Sequence, residues 1–150
     1  MARKTCPVHG IVDMKHSCSR KRSYREYAKT REDKGYASSG EWIKLRADVI
    51  EEQKSMCLWS FYVEGTIKQV DQCHHIIEVR VDDSKVFDRE NVIGLDRDVH
   101  RLVHKYYKTK YRTDCLRLLI DFNYRMSKGI VLEDLGIYKQ RIQQWELSEM

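Results

Sequence analysis

The sequence has one proline, Pro7, and seven glycines in 150 residues. It contains no internal repeat and no long low-complexity tract, so neither a repeat array nor a compositionally biased segment accounts for it. No apolar run approaches the length of a membrane-crossing helix, and the N-terminus lacks the apolar core of a signal peptide. The cysteines number five, an odd count with no secretory signal beside it. The expectation is a reduced, cytoplasmic protein. Clusters of Cys and His should then be read as metal candidates before disulfides.

A length of 150 residues suits one domain with an arm and a tail, and a hydrophobic fraction of 41% supports a modest core. The formal charge of +5 is unevenly placed. Residues 1–34 carry 10 Lys and Arg against 4 Asp and Glu, residues 35–112 carry 13 against 13, and residues 113–150 carry 5 against 6. The surplus therefore sits in the N-terminal arm, where "SRKRSYREYAKTR" interleaves tyrosines with cations. Such a segment offers nucleic acid both phosphate contacts and stacking surfaces. Judged alone, it is equally a solvated basic helix.

Along the chain, "CPVHGIVDMKHSC" shows little helical or strand periodicity, and "SRKRSYREYAKTRED" reads as a charged helix. Ser39 is placed to cap a helix through "EWIKLRADVIEEQKS", with Trp42, Leu45, Val49 and Ile50 on one face. "CLWSFYVEGTI" suggests an extended segment with a turn at Glu64–Gly65. "KQVDQCHHIIEV" is the best strand candidate, and "NVIGL" a short second one after a polar loop. Asp96 can cap a helix through "RDVHRLVHKYYKTKYR". "DCLRLLIDFNYRMSKG" reads as a further helix stopped by Gly129, and the tail suggests another amphipathic piece. The fold class expected is α+β, with 1–34 as a basic arm, 35–112 as the central domain and 113–150 as a C-terminal helical extension.

Histidines carry the chemistry. His74 and His75 are adjacent in the strand candidate, so their rings point to opposite faces. His100 and His104 are four apart in a helix and share one face, a spacing that lets two neutral imidazoles close on one divalent ion. Adjacent histidines alone are ordinary polar residues of a half-buried strand, and surface histidines fall four apart by chance. Together they permit one strand imidazole to join the chelate while its neighbour stays available for proton transfer.

The order His74-His75, Asn91 sixteen residues after His75, His100 nine further on and His104 four beyond resembles the HNH, or ββα-metal, nuclease motif. The three-histidine form is similar to that of the DNase colicins. "YASSGEWIKLRADVI" resembles the segment preceding the catalytic hairpin in small phage HNH endonucleases. The resemblance runs from Tyr36 to about Lys108 and implies a ββα-metal (His-Me finger) core, a two-stranded antiparallel hairpin plus a helix, surrounded by additional helices. It implies His74, His100 and His104 as ligands of one divalent ion, His75 as the general base on water, and Asn91 as the brace of the loop holding that base. The implied activity is hydrolysis of DNA, most naturally double-stranded, in the cytoplasm of a bacterial host if phage-encoded, with the phage terminase as a partner in genome packaging. The ion is Zn, Ni, Mn or Mg by that resemblance, and an all-imidazole donor set on its own suits Zn, Ni or Co.

Two departures stand out. The Cys-x-x-Cys pairs that many family members use for structural zinc are absent: Cys57 is followed by "LWS", and the stretch before His100, "LDRD", holds no cysteine. Near the N-terminus, however, Cys6, His9, His16 and Cys18 form C-x2-H-x6-H-x-C, a candidate structural zinc site. The alternative is an arm whose thiols bind nothing. Cys73 and Cys115 are expected in the core. Arg80, Arg97, Arg101 and Lys105 are candidate phosphate contacts. Two other functions fit the same residues: a non-catalytic, zinc-stabilised DNA-binding protein, and a metal-dependent RNase or toxin-like nuclease.

Overall fold

The computed structural model describes residues 3–6, 10–16, 35–129 and 136–148, in two compact units, 1–37 and 38–150. In the first unit, β1 (Arg3–Cys6) pairs antiparallel with β2 (Gly10–Asp13), Arg3 opposite Asp13 and Cys6 opposite Gly10. Gly10 enters β2 at φ 72°, a conformation glycine adopts without strain. This hairpin was not expected. Strands of four residues are too short to display an alternation, and seven of the eight positions remain at least partly exposed. The basic segment read as a charged helix, 19–33, lies outside the described residues.

The second unit begins with α1 (Gly40–Glu52), capped as expected by Ser39, whose Oγ accepts the Trp42 N–H at 3.2 Å. Trp42 and Val49, two turns apart, are its buried residues. The segment expected to be extended is instead helical from Leu58, widening to a π turn at Ser60–Glu64 and stopping at Gly65 with φ 65°. Helical spacing buries Leu58, Trp59, Tyr62 and Val63 on one face, and that burial overrides the β propensity of the residues.

The central hairpin joins β3 (Gln72–His75) to β4 (Val92–Leu95), with His74 opposite Ile93 and His75 opposite Val92. β3 is much shorter than the apolar run suggested. Past His75 the chain leaves the ladder for a loop, 76–91, that contains 3-10 turns at Asp83–Lys85 and Arg89–Asn91. After β4 only Asp96 intervenes before α2 (Arg97–Tyr106), followed by α3 (Arg112–Ser127) and α4 (Gly136–Ser148). The class is α+β.

The hairpin separates two environments by its pleat. His75, Cys73 and Gly94 face α1: His75 stacks on Trp42, Cys73 Sγ lies 4.0 Å from the Arg46 carbonyl, and Gly94 meets Gln53. His74, Ile93 and Leu95 face α2 and the main core. Gln53, fully buried, docks its amide on Gly94, accepting Gly94 N–H at 2.8 Å and donating to Gly94 O at 3.1 Å. A Cβ at Gly94 would lie 2.8 Å from Val70 and 3.0 Å from Gln53, so any larger residue would displace the Val70 side chain.

The main core stacks Tyr62 on Phe122 at 5.2 Å and sets Trp59 edge-on to Phe122 at 6.1 Å. Val99, Val103 and Tyr106 of α2, Cys115, Leu118 and Leu119 of α3, and Tyr138, Ile142 and Trp145 of α4 complete it. The C-terminal helices thus bury the back of the helix that carries His100 and His104. Among the described residues no helix is long and apolar enough to cross a membrane.

Candidate metal centre

Helix α2 is fixed at its start by a buried carboxylate. Asp96 Oδ1 accepts the N–H groups of Asp98 and Val99, each at 3.0 Å, and Oδ2 accepts the Ser60 hydroxyl at 2.8 Å. Burial alone would raise the Asp96 pKa, but the hydrogen bonds from Val99, Ser60, Cys57 and Asp98 hold it below the ordinary value. The carboxylate therefore stays ionised and caps α2, a contribution of about 1 kcal/mol.

From this anchored helix His100 and His104 project one turn apart, their Nε2 atoms 3.2 Å from each other. Two nitrogens each ~2.0–2.1 Å from one tetrahedral ion would stand ~3.4 Å apart. The pair is thus close to chelating geometry. His74 completes the cluster from β3, its ring centroid 5.1 Å from that of His100 and 5.0 Å from that of His104. One nitrogen from each of the three rings lies within 4.8 Å of the others. Three imidazoles in this arrangement are close enough to bind one metal ion.

All four histidines favour the neutral form that coordination and proton acceptance both require. Burial pushes the His74 pKa well below the usual imidazole value, and His100, His104 and His75 add to the effect. Burial likewise lowers His100, with His104 reinforcing it. It also lowers His104, against a smaller opposing pull from Glu78. His75 is lowered by burial despite the hydrogen bond to Val86.

His75 points away from this cluster. Its Nε2 lies 2.9 Å from the Val86 carbonyl, which can only accept, so Nε2 carries the proton and Nδ1 is the acceptor of the neutral ring. The loop that supplies Val86 is stapled by Asn91. Asn91 Oδ1 accepts the Ile77 N–H at 2.7 Å, and Nδ2 donates to the carbonyls of Ile77 at 3.0 Å and Lys85 at 3.3 Å. Lys85 precedes Val86, so the hold on one carbonyl places the next.

Of the cations named from the sequence, Arg97, Arg101 and Lys105 line the exposed side of α2 beside the histidine pair. Arg101 lies 3.9 Å from Asp98. Arg80 is paired with Glu78 at 3.1 Å. In the first unit Cys6 ends β1, and the His16 N–H donates to Asp13 O at 2.9 Å. His9 and Cys18, the other half of that candidate zinc set, lie outside the described residues.

Three neighbours of the site carry no signal in the sequence motif. Trp42 stacks on His75 with centroids 4.6 Å apart. Tyr107 reaches the Ile76 carbonyl at 2.7 Å and His74 Nε2 at 3.3 Å. Arg112, held by Glu78 at 2.9 Å, lies over the Tyr107 ring at 5.0 Å. Tyr107 could have been suspected from its position three residues after His104, which keeps it on the ligand face. No protein-family model, curated protein or solved structure matches this chain.

Proposed function

We propose that the chain is an HNH endonuclease of the ββα-metal class, hydrolysing phosphodiester bonds of double-stranded DNA with one divalent ion held by His74, His100 and His104. The observation carrying this reading is the opposed placement of the two adjacent histidines. His74 faces the α2 pair, while His75, one residue on, faces the other way with its Nε2–H directed at a backbone carbonyl. A structural metal site needs only the first half of that arrangement; hydrolysis needs both.

In this mechanism His75 Nδ1 takes the proton of the attacking water. The Val86 carbonyl stabilises the imidazolium that results, because Nε2–H is already directed at it. Asn91 keeps that carbonyl in place through the loop. When bound, the divalent ion supplies neutralisation of charge on the phosphate and assistance to the departing oxygen. The donor chemistry fits such an ion: three neutral imidazoles favour zinc, nickel or cobalt over magnesium. The exposed cations of α2 offer backbone phosphates a contact surface next to the centre.

Supercoiled plasmid incubated with the chain and Mg, Mn, Ni, Co or Zn in turn, with RNA in parallel, tests the reading. Cleavage of DNA with at least one ion is expected, and His75→Ala should lower it by roughly 10²–10⁴-fold while calorimetry shows the ion still bound. No cleavage under any ion, or a His75→Ala protein that cuts at the wild-type rate, removes the proposal.

A further inference from the structure

We infer that Tyr107 is the positioning residue of the metal centre, its phenol oxygen holding His74 Nε2–H so that His74 meets the cation through Nδ1 while His100 and His104 meet it through Nε2. The inference rests on the reading of the triad as a metal site but not on nuclease activity.

A phenol has one proton to give. Tyr107 Oη lies 2.7 Å from the Ile76 carbonyl and 3.3 Å from His74 Nε2. The shorter contact is to a group that can only accept, so the proton goes there. What the oxygen turns toward His74 is a lone pair, and that contact is favourable only when Nε2 carries hydrogen. A metal-binding imidazole is neutral, with one N–H and one lone pair. Its coordinating atom is then Nδ1. On α2 the two rings approach each other through Nε2, at 3.2 Å, so the centre mixes the two nitrogen types.

Tyr107 is itself held on every side. Its residue is 5% exposed. The Arg112 guanidinium lies over its ring at 5.0 Å and donates to its carbonyl at 3.3 Å, and Glu78 fixes Arg112 at 2.9 Å. The phenol spans from the C-cap of α2 to the residue that follows β3, tying the strand-borne ligand to the helix that bears the other two. A ligating histidine whose second nitrogen has a fixed partner is locked in tautomer and ring orientation, and loss of such a partner typically weakens metal binding by about 10- to 100-fold.

The test uses the full chain in two measurements. The ¹⁵N spectrum of metal-free wild type, with His74 assigned by comparison with His74→Asn, should show Nε2 protonated and Nδ1 unprotonated. Tyr107→Phe keeps the ring under Arg112 and removes only the oxygen. It should bind zinc about 10- to 100-fold more weakly in a chelator competition, and its His74 resonances should move toward a tautomer mixture. A purely structural tyrosine would leave both readouts unmoved. The inference is overturned by an Nδ1-protonated His74 in wild type, by a Tyr107→Phe protein with wild-type zinc affinity, or by a wild-type chain that binds no zinc. A chain that passes these measurements yet never cuts DNA leaves Tyr107 in its role and removes the nuclease reading. A chain that cuts DNA with His74 protonated on Nδ1 does the reverse.

Discussion

The indole of Trp42 lies flat against the imidazole of His75, ring centroids 4.6 Å apart and planes inclined by 15°. With the Val86 carbonyl on Nε2, the stack leaves the imidazole ring little freedom to tilt or flip. Trp42 reaches His75 from α1, on the hairpin face opposite the His74, His100 and His104 cluster. Trp42→Ala should therefore lower the cleavage rate by about 10- to 100-fold, as small misplacements of a reacting group do, with metal affinity unchanged. Trp42→Phe preserves a flat apolar face and should recover most of the rate. Turnover per metal-loaded protein is the measurement. A Trp42→Ala protein at full turnover would reduce the stack to core packing.

Asn91 makes a different prediction because it acts through the backbone. Its amide uses one acceptor and two donor contacts to bind Ile77 and Lys85. Asn91→Ala strands the Ile77 N–H and the Ile77 carbonyl, at roughly 1–3 kcal/mol for each group that water does not reach, while the Lys85 carbonyl keeps the Asp88 N–H at 3.2 Å. Asn91→Asp keeps the acceptor and sets a carboxylate oxygen against two carbonyl oxygens, so it should be no better than alanine. Both variants should lower turnover and the urea midpoint while the metal site, on the other face of β3, stays within about twofold of wild-type affinity, an order-of-magnitude allowance for independent sites. Denaturation curves and metal titrations on the same samples check this, and Asn91→Ala with unchanged turnover would sever the link from loop to base.

The parts of this arrangement legible from sequence are those that periodicity governs. Adjacent residues of a strand face opposite ways, so the split between His74 and His75 follows from their being neighbours, and His100 and His104 share a face because four residues nearly complete a turn. Asp96 and Ser39 were readable as caps because short oxygen-bearing side chains before an apolar-periodic run have few other uses. The missed elements depend on tertiary partners. Leu58–Glu64 has β-branched and aromatic residues, yet takes a helical path because Trp59 and Tyr62 both gain Phe122 as a neighbour. Gln53 looks like one more polar residue at a helix end, and only the closeness of Gly94 shows why an amide is needed there. The partner of His75 is a carbonyl at Val86, invisible to any reading of side-chain types.

Acid should destabilise the metal-free protein. His74 has its pKa held well below 6.5 in the fold, and His75, His100 and His104 are also lowered. In the unfolded chain these rings protonate near the ordinary value, about 6.5. The unfolded state thus binds more protons in acid, and the histidine contribution to stability is fully present above pH 6.5 and lost as pH falls toward the folded values. Each proton taken up preferentially by the unfolded chain weakens the fold by about 1.4 kcal/mol per pH unit. Urea titrations of chelator-treated protein from pH 8 to pH 5 should be flat at the alkaline end and decline below 6.5. His74→Asn should soften the decline. A flat profile throughout would mean that the rings do not stay neutral in the fold.

Binding to DNA should depend on the outer edge of α2. At 100° per residue, Arg97, Arg101 and Lys105 follow the histidine pair around the helix, all three exposed, while Val99, Val103 and Tyr106 occupy the buried side. Cations on that edge can reach backbone phosphates flanking a linkage at the metal centre. Arg80 is engaged by Glu78, which also binds Arg112, and must break that pairing before it serves a phosphate. Lys105→Ala and Arg97→Ala should therefore weaken binding similarly for unrelated DNA sequences, and each should reduce the slope of log K against log salt by about 0.9. Arg80→Ala should change the slope less. Fluorescence anisotropy of labelled duplexes from 50 to 200 mM salt, on the His75→Ala background so that the DNA stays intact, gives the slopes; these salt limits bracket the range over which roughly 10³–10⁵-fold losses occur for proteins with many phosphate contacts. Equal slopes for wild type and Lys105→Ala would move the phosphate track off α2, and the N-terminal arm would become the next surface to substitute.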